Sequence, residues 1–128
     1  MRHDLLSDAL NIIKTSEGMG RKECIIPAMR ILKDILLVMQ KHKYVGTFEF
    51  IDDGRNGKFK VGLLGKINSC GIIKPRFAVK AGQFRKYEKR FLPASNIGIL
   101  LVSTSKGVTD HNNAIKTKTG GKLLGYVW

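Results

Sequence analysis

Two short motifs in the last quarter of the chain contain residue types that act as nucleophiles. Ser103–Lys106 (STSK) has the S-x-x-K spacing, and Lys118–Gly120 (KTG) is a K-T-G triplet. In serine acyl-transfer enzymes these motifs join a third, S-D-N, and the lysine shares the proton of the serine across one helical turn. The sequence contains no S-D-N, and Gly107 follows at once, which disfavours a long helix. Acyl transfer by Ser103 and Lys106 is therefore the weaker hypothesis.

The same region also has the composition of a loop that contacts RNA. Three hydroxyl side chains, a lysine and a glycine follow an apolar strand predicted at 97–102: they are Ser103, Thr104, Ser105, Lys106 and Gly107. Such a slim polar loop fits the shallow minor groove of RNA, where 2′-hydroxyls, base edges and phosphates offer hydrogen bonds. A helix capped by Thr109 or Asp110 is expected to follow and to present its positive N-terminus to a phosphate. On these residues alone an ordinary strand-to-helix loop explains the pattern slightly better.

The charge of the chain strengthens the RNA interpretation. There are 23 Lys and Arg against 10 Asp and Glu, a formal net charge of +13. The excess is concentrated in residues 71–128, where 11 basic residues accompany only two acidic ones, Glu88 and Asp110. Such an excess repels itself in the folded state unless a polyanion neutralises it, which favours nucleic acid over a merely solvated surface. No apolar run reaches the ~18 residues of a membrane span.

Basic residues are densest between positions 74 and 90, where aromatic residues separate them. We expect the aromatic rings to be buried and the cationic heads to bind phosphate. Together with two lysines near the C-terminus, the predicted phosphate contacts are Arg76, Arg85, Lys86, Lys118 and Lys122. Phosphate contacts of this kind should dominate the affinity and make it fall steeply with salt.

Hydrophobic periodicity predicts an α+β fold of two lobes. Residues 1–68 are predicted to form an αβαββ lobe, and residues 69–128 a smaller mixed lobe with a short antiparallel sheet. The elements expected in the first lobe are a helix at 4–16, a strand at 23–26, a helix at 28–42 and strands at 44–51 and 58–64. Those expected in the second are a short strand within 72–79, a charged helix at 83–91, the strand 97–102, a helix at 110–116 and a strand at 122–128.

Several residues that resemble chemical sites are better explained by structure. Asp52 and Asp53 precede Gly54–Gly57, which matches the GxxG loop of KH domains, but a hairpin turn between strands accounts for them better. Cys24 and Cys70 are predicted to be buried free thiols in a reducing compartment. The histidines are isolated, so no metal site and no cofactor are expected. The start of the chain lacks the apolar region of a signal peptide, which favours the cytosol.

Five segments of the chain resemble one known family. They are Leu6–Leu10 (LSDAL), Phe50–Lys58 (FIDDGRNGK), Lys66–Phe77 (KINSCGIIKPRF), Ser103–Val108 (STSKGV) and Thr119–Lys122 (TGGK). Over nearly its whole length the sequence is similar to the universal ribosomal protein S8 family of the small subunit, in its eukaryotic and archaeal cytosolic form. The last two segments resemble the family signature, and the third resembles the eukaryotic and archaeal branch.

This resemblance implies a structural role and no enzymatic activity. It implies a protein of the cytosolic small ribosomal subunit that binds a central-domain helix of the rRNA early in assembly, beside neighbouring ribosomal proteins and without a cofactor. It also implies that the Ser103–Gly107 loop lies in the minor groove of that helix. The charge alone leaves open a different class, a free regulatory module that binds RNA or DNA outside the ribosome.

Several positions depart from the pattern of the family: Lys43, the Val108–Asp110 segment, which lacks an expected methionine, and Asn112 and Asn113, which replace more acidic residues. Lys43 lies at the end of the second predicted helix, where the family usually has glycine. If this position requires a positive φ, a lysine there costs roughly 1 kcal/mol of strain. The sequence therefore predicts either a strained backbone at Lys43 or a helix that ends differently.

Overall fold

The computed structural model describes residues 5–55, 57–73, 78–80, 82–94 and 97–128. The chain forms two compact units, Met1–Gly71 and Ile72–Trp128, hereafter the N-terminal unit and the C-terminal unit. The elements are α1 (Leu5–Gly18), β1 (Glu23–Pro27), α2 (Arg30–Lys41), β2 (Val45–Ile51), β3 (Lys58–Leu63), β4 (Cys70–Ile72), β5 (Ala78–Val79), α3 (Phe84–Phe91), β6 (Ile99–Thr104), β7 (Gly107–Asp110), α4 (His111–Lys116) and β8 (Gly121–Val127).

This element order confirms the predicted α+β class and the αβαββ arrangement of the first half. A functional boundary between residues 68 and 69 stays a prediction. Within the described residues no helix is long and apolar enough to cross a membrane.

Two amphipathic helices pack against the sheet of the N-terminal unit. This sheet is antiparallel with the order β1-β3-β2, and α1 contacts β1 while α2 contacts β2. The buried apolar residues of each helix recur at spacings of three and four, as expected for a helix with one apolar side. They are Leu6, Ala9, Leu10 and Ile13 in α1, and Leu32, Ile35, Leu36 and Met39 in α2.

Both cysteines lie in the interior of the N-terminal unit. Cys24 faces the core from β1, and the Sγ of Cys70 donates a hydrogen bond to the carbonyl oxygen of Leu10 at 3.4 Å. Burial raises the pKa of the Cys24 thiol and raises that of Cys70 to about 12. Thiols with raised pKa values are poor nucleophiles at neutral pH. The prediction of two buried free thiols is therefore confirmed.

The turn between β2 and β3 is held by carboxylates. The Oδ1 of Asp53 accepts hydrogen bonds from the N–H groups of Arg55 at 2.9 Å and Gly57 at 3.1 Å, and the Oδ1 of Asp52 accepts from Gly54 at 2.9 Å. The bond from Arg55 is the main reason that the pKa of Asp53 is lowered. These N–H groups are the donors that a KH-type loop would offer to RNA. They are already bonded, which confirms the predicted turn-capping role of Asp52 and Asp53.

The C-terminal unit is built around an antiparallel sheet in which β8, β6 and β7 lie side by side in that order and β5 also pairs with β8. Helix α4 contacts β6 and β7, and α3 contacts β6. Apolar residues of both helices and of the sheet form one core, consisting of Ile73, Val79, Phe84, Leu92, Leu100, Val102, Ala114 and Leu123. The predicted smaller mixed lobe with an antiparallel sheet is confirmed, and β7 is the strand that the sequence did not indicate.

Three helices end in the same backbone arrangement, the Schellman motif. The residue with positive φ is Gly20 after α1, Lys43 after α2 and Lys118 after α4, with φ values of 72°, 63° and 53°. The N–H of that residue bonds to the carbonyl three residues earlier, and the next N–H bonds to the carbonyl five residues before it. Glycine is the usual residue here because it has no Cβ to clash. Since α2 uses lysine instead, the strained backbone predicted at Lys43 is present.

We expect Lys43→Gly to raise the free energy of unfolding by about 1 kcal/mol, because it removes the cost of a Cβ in the left-handed region. Urea denaturation should show a higher midpoint at an unchanged slope. Lys41→Gly is the matched control, since it makes the same chemical change inside the last turn of α2. There glycine should lower stability by about 1 kcal/mol. Equal destabilisation by both changes would contradict this account of the helix end.

Candidate RNA-binding surface

The 103–107 segment forms the tip of a β-hairpin, so the predicted strand-to-helix loop is wrong. Ser103 and Thr104 continue β6, Gly107 begins β7, and only Ser105 and Lys106 form the turn. Gly107 has a φ of 116°, which a residue with a side chain rarely adopts. The sequence did not reveal β7 because a four-residue strand that begins with glycine is too short to show alternation. We call Ile99–Asp110 the β6–β7 hairpin.

The three hydroxyl groups of the hairpin tip have different environments. The Oγ1 of Thr104 donates to the carbonyl oxygen of Gly107 at 2.8 Å and accepts from the N–H of Lys106 at 3.1 Å. This side chain therefore holds the turn together. Ser105 is exposed and Ser103 half-buried, and within the described residues neither hydroxyl makes a hydrogen bond. Two hydroxyls are thus available for an external partner, and one is used internally.

Lys122 lies beside the hairpin tip because of the strand register. Ser103 pairs with Val108 on one side and with Lys122 on the other, so these three side chains project from the same face of the sheet. The neighbouring pair, Val102 and Leu123, projects to the other face and is fully buried. The face that carries Ser103 and Lys122 is therefore opposite to the core of the unit.

Gly121 allows β8 to approach β6 at this point. A methyl group on Gly121 would collide with the carbonyl oxygen of Ser103 and lie 2.8 Å from Cγ1 of Val102. Glycine is therefore required at position 121 by contact rather than by φ. This contact explains why the Ser103–Val108 and Thr119–Lys122 segments, which are distant in sequence, lie together in space.

Helix α3 separates apolar and cationic side chains onto two sides. Phe84 is buried, and Tyr87 and Phe91 pack against the core of the unit. The exposed residues are Arg85, Lys86, Lys89 and Arg90. The Nζ of Lys86 lies 5.9 Å from the ring centroid of Tyr87, and the guanidinium of Arg90 lies 5.3 Å from that of Phe91. The predicted burial of the rings beneath exposed cations is confirmed for this helix.

A buried hydrogen-bonded pair joins α3 to the start of α4. Glu88 and His111 are only 4% and 2% exposed, and the Oε2 of Glu88 lies 3.1 Å from the Nε2 of His111. The Nδ1 of His111 accepts a hydrogen bond from the N–H of Leu100 in β6 at 3.0 Å. Burial lowers the pKa of His111, and the proximity of Glu88 partly opposes this shift. One histidine thus contacts two other elements of the unit through polar bonds.

The first turn of α4 is satisfied internally. Asp110, one of the two N-cap residues that the sequence offered, is the N-cap, and its Oδ2 accepts from the N–H of Asn113 at 3.2 Å. The helix has six residues, and β7 separates it from the turn at Ser105 and Lys106. The expectation that this helix directly follows the 103–107 segment is therefore wrong, and a phosphate at its N-terminus stays a prediction.

The surface of the C-terminal unit carries cations without exposed acidic side chains. Its two acidic residues, Glu88 and Asp110, are both 4% exposed. The nine basic residues that the structure describes in this unit are all exposed: Lys80, Arg85, Lys86, Lys89, Arg90, Lys106, Lys116, Lys118 and Lys122. The described surface of this unit therefore carries cationic side chains and no acidic ones, which favours binding of a polyanion.

The predicted site residues fall into three groups. The hairpin tip brings Ser103, Thr104, Ser105, Lys106 and Gly107 together with Lys122. Arg85 and Lys86 lie on α3, and Lys118 lies in the left-handed position after α4. Arg76 lies outside the described residues.

The acyl-transfer hypothesis lacks the helix that it needs. Ser103 lies in a strand and Lys106 in a tight turn, so the lysine is not one helical turn beyond the serine. The side chain of Lys106 is also exposed to solvent rather than buried beside the serine hydroxyl. Lys106 is therefore not placed to accept the proton of the Ser103 hydroxyl.

The α+β fold and the cationic unit with its hydroxyl-bearing hairpin define a nucleic-acid-binding protein. The family model of Ribosomal protein S8 matches residues 4–128, and the chain belongs to this family. It is accordingly a ribosomal protein that binds rRNA and neighbouring ribosomal proteins. The family is structural rather than enzymatic.

Sequence reasoning missed Glu88 and His111 as members of the site. His111 was one of three isolated histidines, and Glu88 was one acid among many bases. A signal was present for Glu88, because it follows Phe84 by four residues and therefore shares the apolar side of α3. No local pattern identifies its partner, since 23 positions separate the two residues.

Thr104→Val should weaken the hairpin, because it removes both hydrogen bonds of the hydroxyl while preserving the shape of the side chain. We expect the free energy of unfolding to fall by about 1 kcal/mol, as for hydrogen bonds whose partners can turn to water. Ser105→Ala, the matched control one residue later, should stay within about 0.5 kcal/mol of the parent. Urea denaturation measures both values. Equal stability of the two variants would show that Thr104 does not hold the turn.

Proposed function

We propose that this protein is a structural constituent of the cytosolic small ribosomal subunit. In this proposal its C-terminal unit binds a central-domain helix of the small-subunit rRNA and supports the early assembly of that subunit. Membership in the ribosomal protein S8 family supports binding to rRNA. The similarity of Lys66–Phe77 to the eukaryotic and archaeal branch supports the cytosolic type.

The observation that carries the proposal is the absence of exposed acidic side chains from a unit with a formal excess of nine positive charges. Glu88 and Asp110 are its only acidic residues, and both are buried. A surface evolved only for solubility would mix both signs of charge. A surface of one sign attracts the phosphate backbone and releases the counterions that surround it.

The protein binds RNA through two kinds of contact, one to the phosphates and one to the groove. Phosphates are bound by cations on α3, after α4 and in β8, together with one in the undescribed segment before β5: Arg85, Lys86, Lys118, Lys122 and Arg76. These contacts set affinity and orientation but carry no information about sequence. Site selection comes from the tip of the β6–β7 hairpin, where Ser103, Ser105 and Lys106 meet the RNA.

The shape of the hairpin tip favours the minor groove. The major groove of A-form RNA is too deep and narrow for side chains, whereas the minor groove is wide, shallow and lined by 2′-hydroxyls. A turn of two residues is slim, and its glycine adds no side chain on the approach side. The free hydroxyls of Ser103 and Ser105 can each donate and accept a hydrogen bond, which suits both 2′-hydroxyls and base edges.

The assignment to the small subunit is tested by sedimentation. We expect the tagged full-length protein to stay with small ribosomal subunits through a high-salt sucrose gradient, because assembled contacts include groove and protein interactions besides phosphate pairs. A parallel gradient of large subunits from the same cells is the control. Loss of the protein to the top of the small-subunit gradient at high salt would instead favour a free regulatory module.

Ser105→Ala tests groove readout directly. We expect it to weaken binding to purified small-subunit rRNA about tenfold while changing binding to an unrelated RNA duplex less than about twofold, since a missing groove hydrogen bond affects only the specific complex. Filter binding at several salt concentrations measures both affinities.

Lys86→Ala is the contrasting variant for the same assay. Removal of a phosphate contact should weaken both RNAs by similar factors and reduce the slope of log affinity against log salt by about 0.9. If Ser105→Ala also weakened both RNAs equally, the hairpin would bind the backbone and not read the groove.

A further inference from the structure

We propose that Glu88 and His111 are positioning residues for rRNA binding, because their hydrogen bond fixes the cations of α3 relative to the β6–β7 hairpin. The inference rests on the proposed function, in which Arg85 and Lys86 bind phosphate while the hairpin tip enters the groove. Neither Glu88 nor His111 needs to touch RNA in this proposal.

The hydrogen bonds of His111 determine which nitrogen carries the proton. Nδ1 accepts from the N–H of Leu100 at 3.0 Å, so the neutral ring must carry its hydrogen on Nε2. That Nε2–H then donates to the Oε2 of Glu88 at 3.1 Å. The histidine is thus held from both sides: β6 fixes one nitrogen, and α3 fixes the other.

Helix α3 depends on such an anchor because it is short. It has eight residues, whereas isolated helices below ~12–15 residues are marginal in water. Its N-cap, Gln83, gives the helix no side-chain cap; instead its Oε1 accepts from the N–H of Lys80. The residues of α3 that are buried are Phe84 and Glu88. Glu88 therefore supplies a polar, directional attachment through His111, beside the apolar contacts that Phe84, Tyr87 and Phe91 make with the core of the unit.

The positions of Arg85 and Lys86 depend on the orientation of α3, which the hydrogen bond of Glu88 fixes. Arg85 lies one turn before Glu88, and Lys86 lies two residues before it, so any rotation of α3 moves both cations. The other end of the linkage, His111, directly follows β7 and pairs with β6 through Leu100. A rigid phosphate-binding helix pays less ordering entropy when RNA binds than a mobile one does.

At low pH the hydrogen bond between the Leu100 N–H and the Nδ1 of His111 should break. Protonation of His111 places a hydrogen on Nδ1, which then faces the N–H of Leu100, so two donors oppose each other. The charged groups around the ring are Glu88 and Arg85 from α3 and Asp110 from β7. Desolvation is the largest influence and lowers the pKa of His111 below its ordinary value of 6.5, although both carboxylates oppose it.

The sign of the pH effect follows from this shift. Because the folded pKa lies below the unfolded value, the stability contributed by neutral His111 is fully present above pH 6.5 and is lost as the pH falls below it toward the folded pKa. Specific binding to rRNA should weaken once the pH falls below the folded pKa, by at most about tenfold per pH unit, since one proton is involved. Non-specific charge attraction alone would instead raise RNA affinity as the pH falls, because the protein becomes more positive.

The experiment uses the full-length protein with purified small-subunit rRNA and, separately, an unrelated RNA duplex, between about pH 5 and pH 7.5. Glu88→Ala, Glu88→Gln and His111→Asn are compared with the parent. We expect Glu88→Ala to bind rRNA about tenfold less tightly. The slope of log affinity against log salt should also become shallower, by up to about 0.9 for each phosphate that the variant no longer binds. Glu88→Gln still accepts from Nε2–H and should remain within about threefold of the parent.

His111→Asn supplies the pH arm of the test. Its amide oxygen can accept from the N–H of Leu100, but the side chain is too short to reach Glu88 and does not titrate. It should bind rRNA more weakly than the parent near neutral pH and lose no further affinity in acid. The parent should lose rRNA affinity as the pH falls through the folded pKa of His111, which lies below 6.5, while its binding to the unrelated duplex strengthens.

A double-mutant cycle separates positioning from general stability. If Glu88 acts through Arg85 and Lys86, adding Glu88→Ala to the Arg85→Ala/Lys86→Ala variant should change rRNA affinity less than about twofold. Glu88→Ala that binds as tightly as the parent, with the parental salt slope, would overturn the inference while leaving the proposed function intact. Should Glu88→Ala fail to fold, a His111→Asn variant that binds rRNA as tightly as the parent near neutral pH would overturn the inference in the same way. A parent that does not bind rRNA overturns the proposed function itself.

Discussion

The C-terminal unit depends on keeping its two carboxylates away from solvent. Glu88 and Asp110 are the only acidic residues among its many bases, and both are used internally, since one bonds His111 and the other caps α4. Burying a carboxylate costs free energy unless hydrogen bonds replace its hydration. Both carboxylates have such hydrogen bonds, and because they are buried the charged side chains on the outer surface of the unit are all cationic. The cationic field and the internal framework are therefore two consequences of the same arrangement.

The hydroxyls of the hairpin tip are fixed in position more firmly than the cations of α3. The hairpin tip is fixed by register, by the internal bonds of Thr104 and by the contact of Gly121 with β6, so its free hydroxyls have little freedom. The cations of α3 lie on a short helix that is attached by the buried Phe84 and Glu88 and by the partly buried Tyr87 and Phe91. In the proposed complex the more firmly fixed hairpin would read the groove, and the helix would bind phosphate. This division suits groove contacts, which need accurate geometry more than phosphate contacts do.

Local patterns predicted most of the fold but only part of the site. Helical spacing located α1 and α2, turn chemistry identified Asp52 and Asp53, and the α+β order followed from them. The β6–β7 hairpin could not be predicted, because β7 exists only through pairing with β6 and has too few residues to show a period. The Glu88–His111 pair was also beyond local reasoning, since its two members meet only after α3 and α4 have packed on the same sheet. Contacts between distant segments are what sequence patterns do not contain.

The lysines after α2 and α4 both carry backbone strain, but only one of them has a role in the proposed complex. Both Lys43 and Lys118 occupy a left-handed position that glycine would fill without strain. A cation at a helix C-terminus recovers part of that cost, because it faces the negative end of the helix dipole, at typically 0.3–1 kcal/mol. Lys118 lies in the C-terminal unit, where a phosphate contact in the proposed rRNA complex would offset the remaining strain. Nothing in the structure explains the strain at Lys43, which lies in the N-terminal unit.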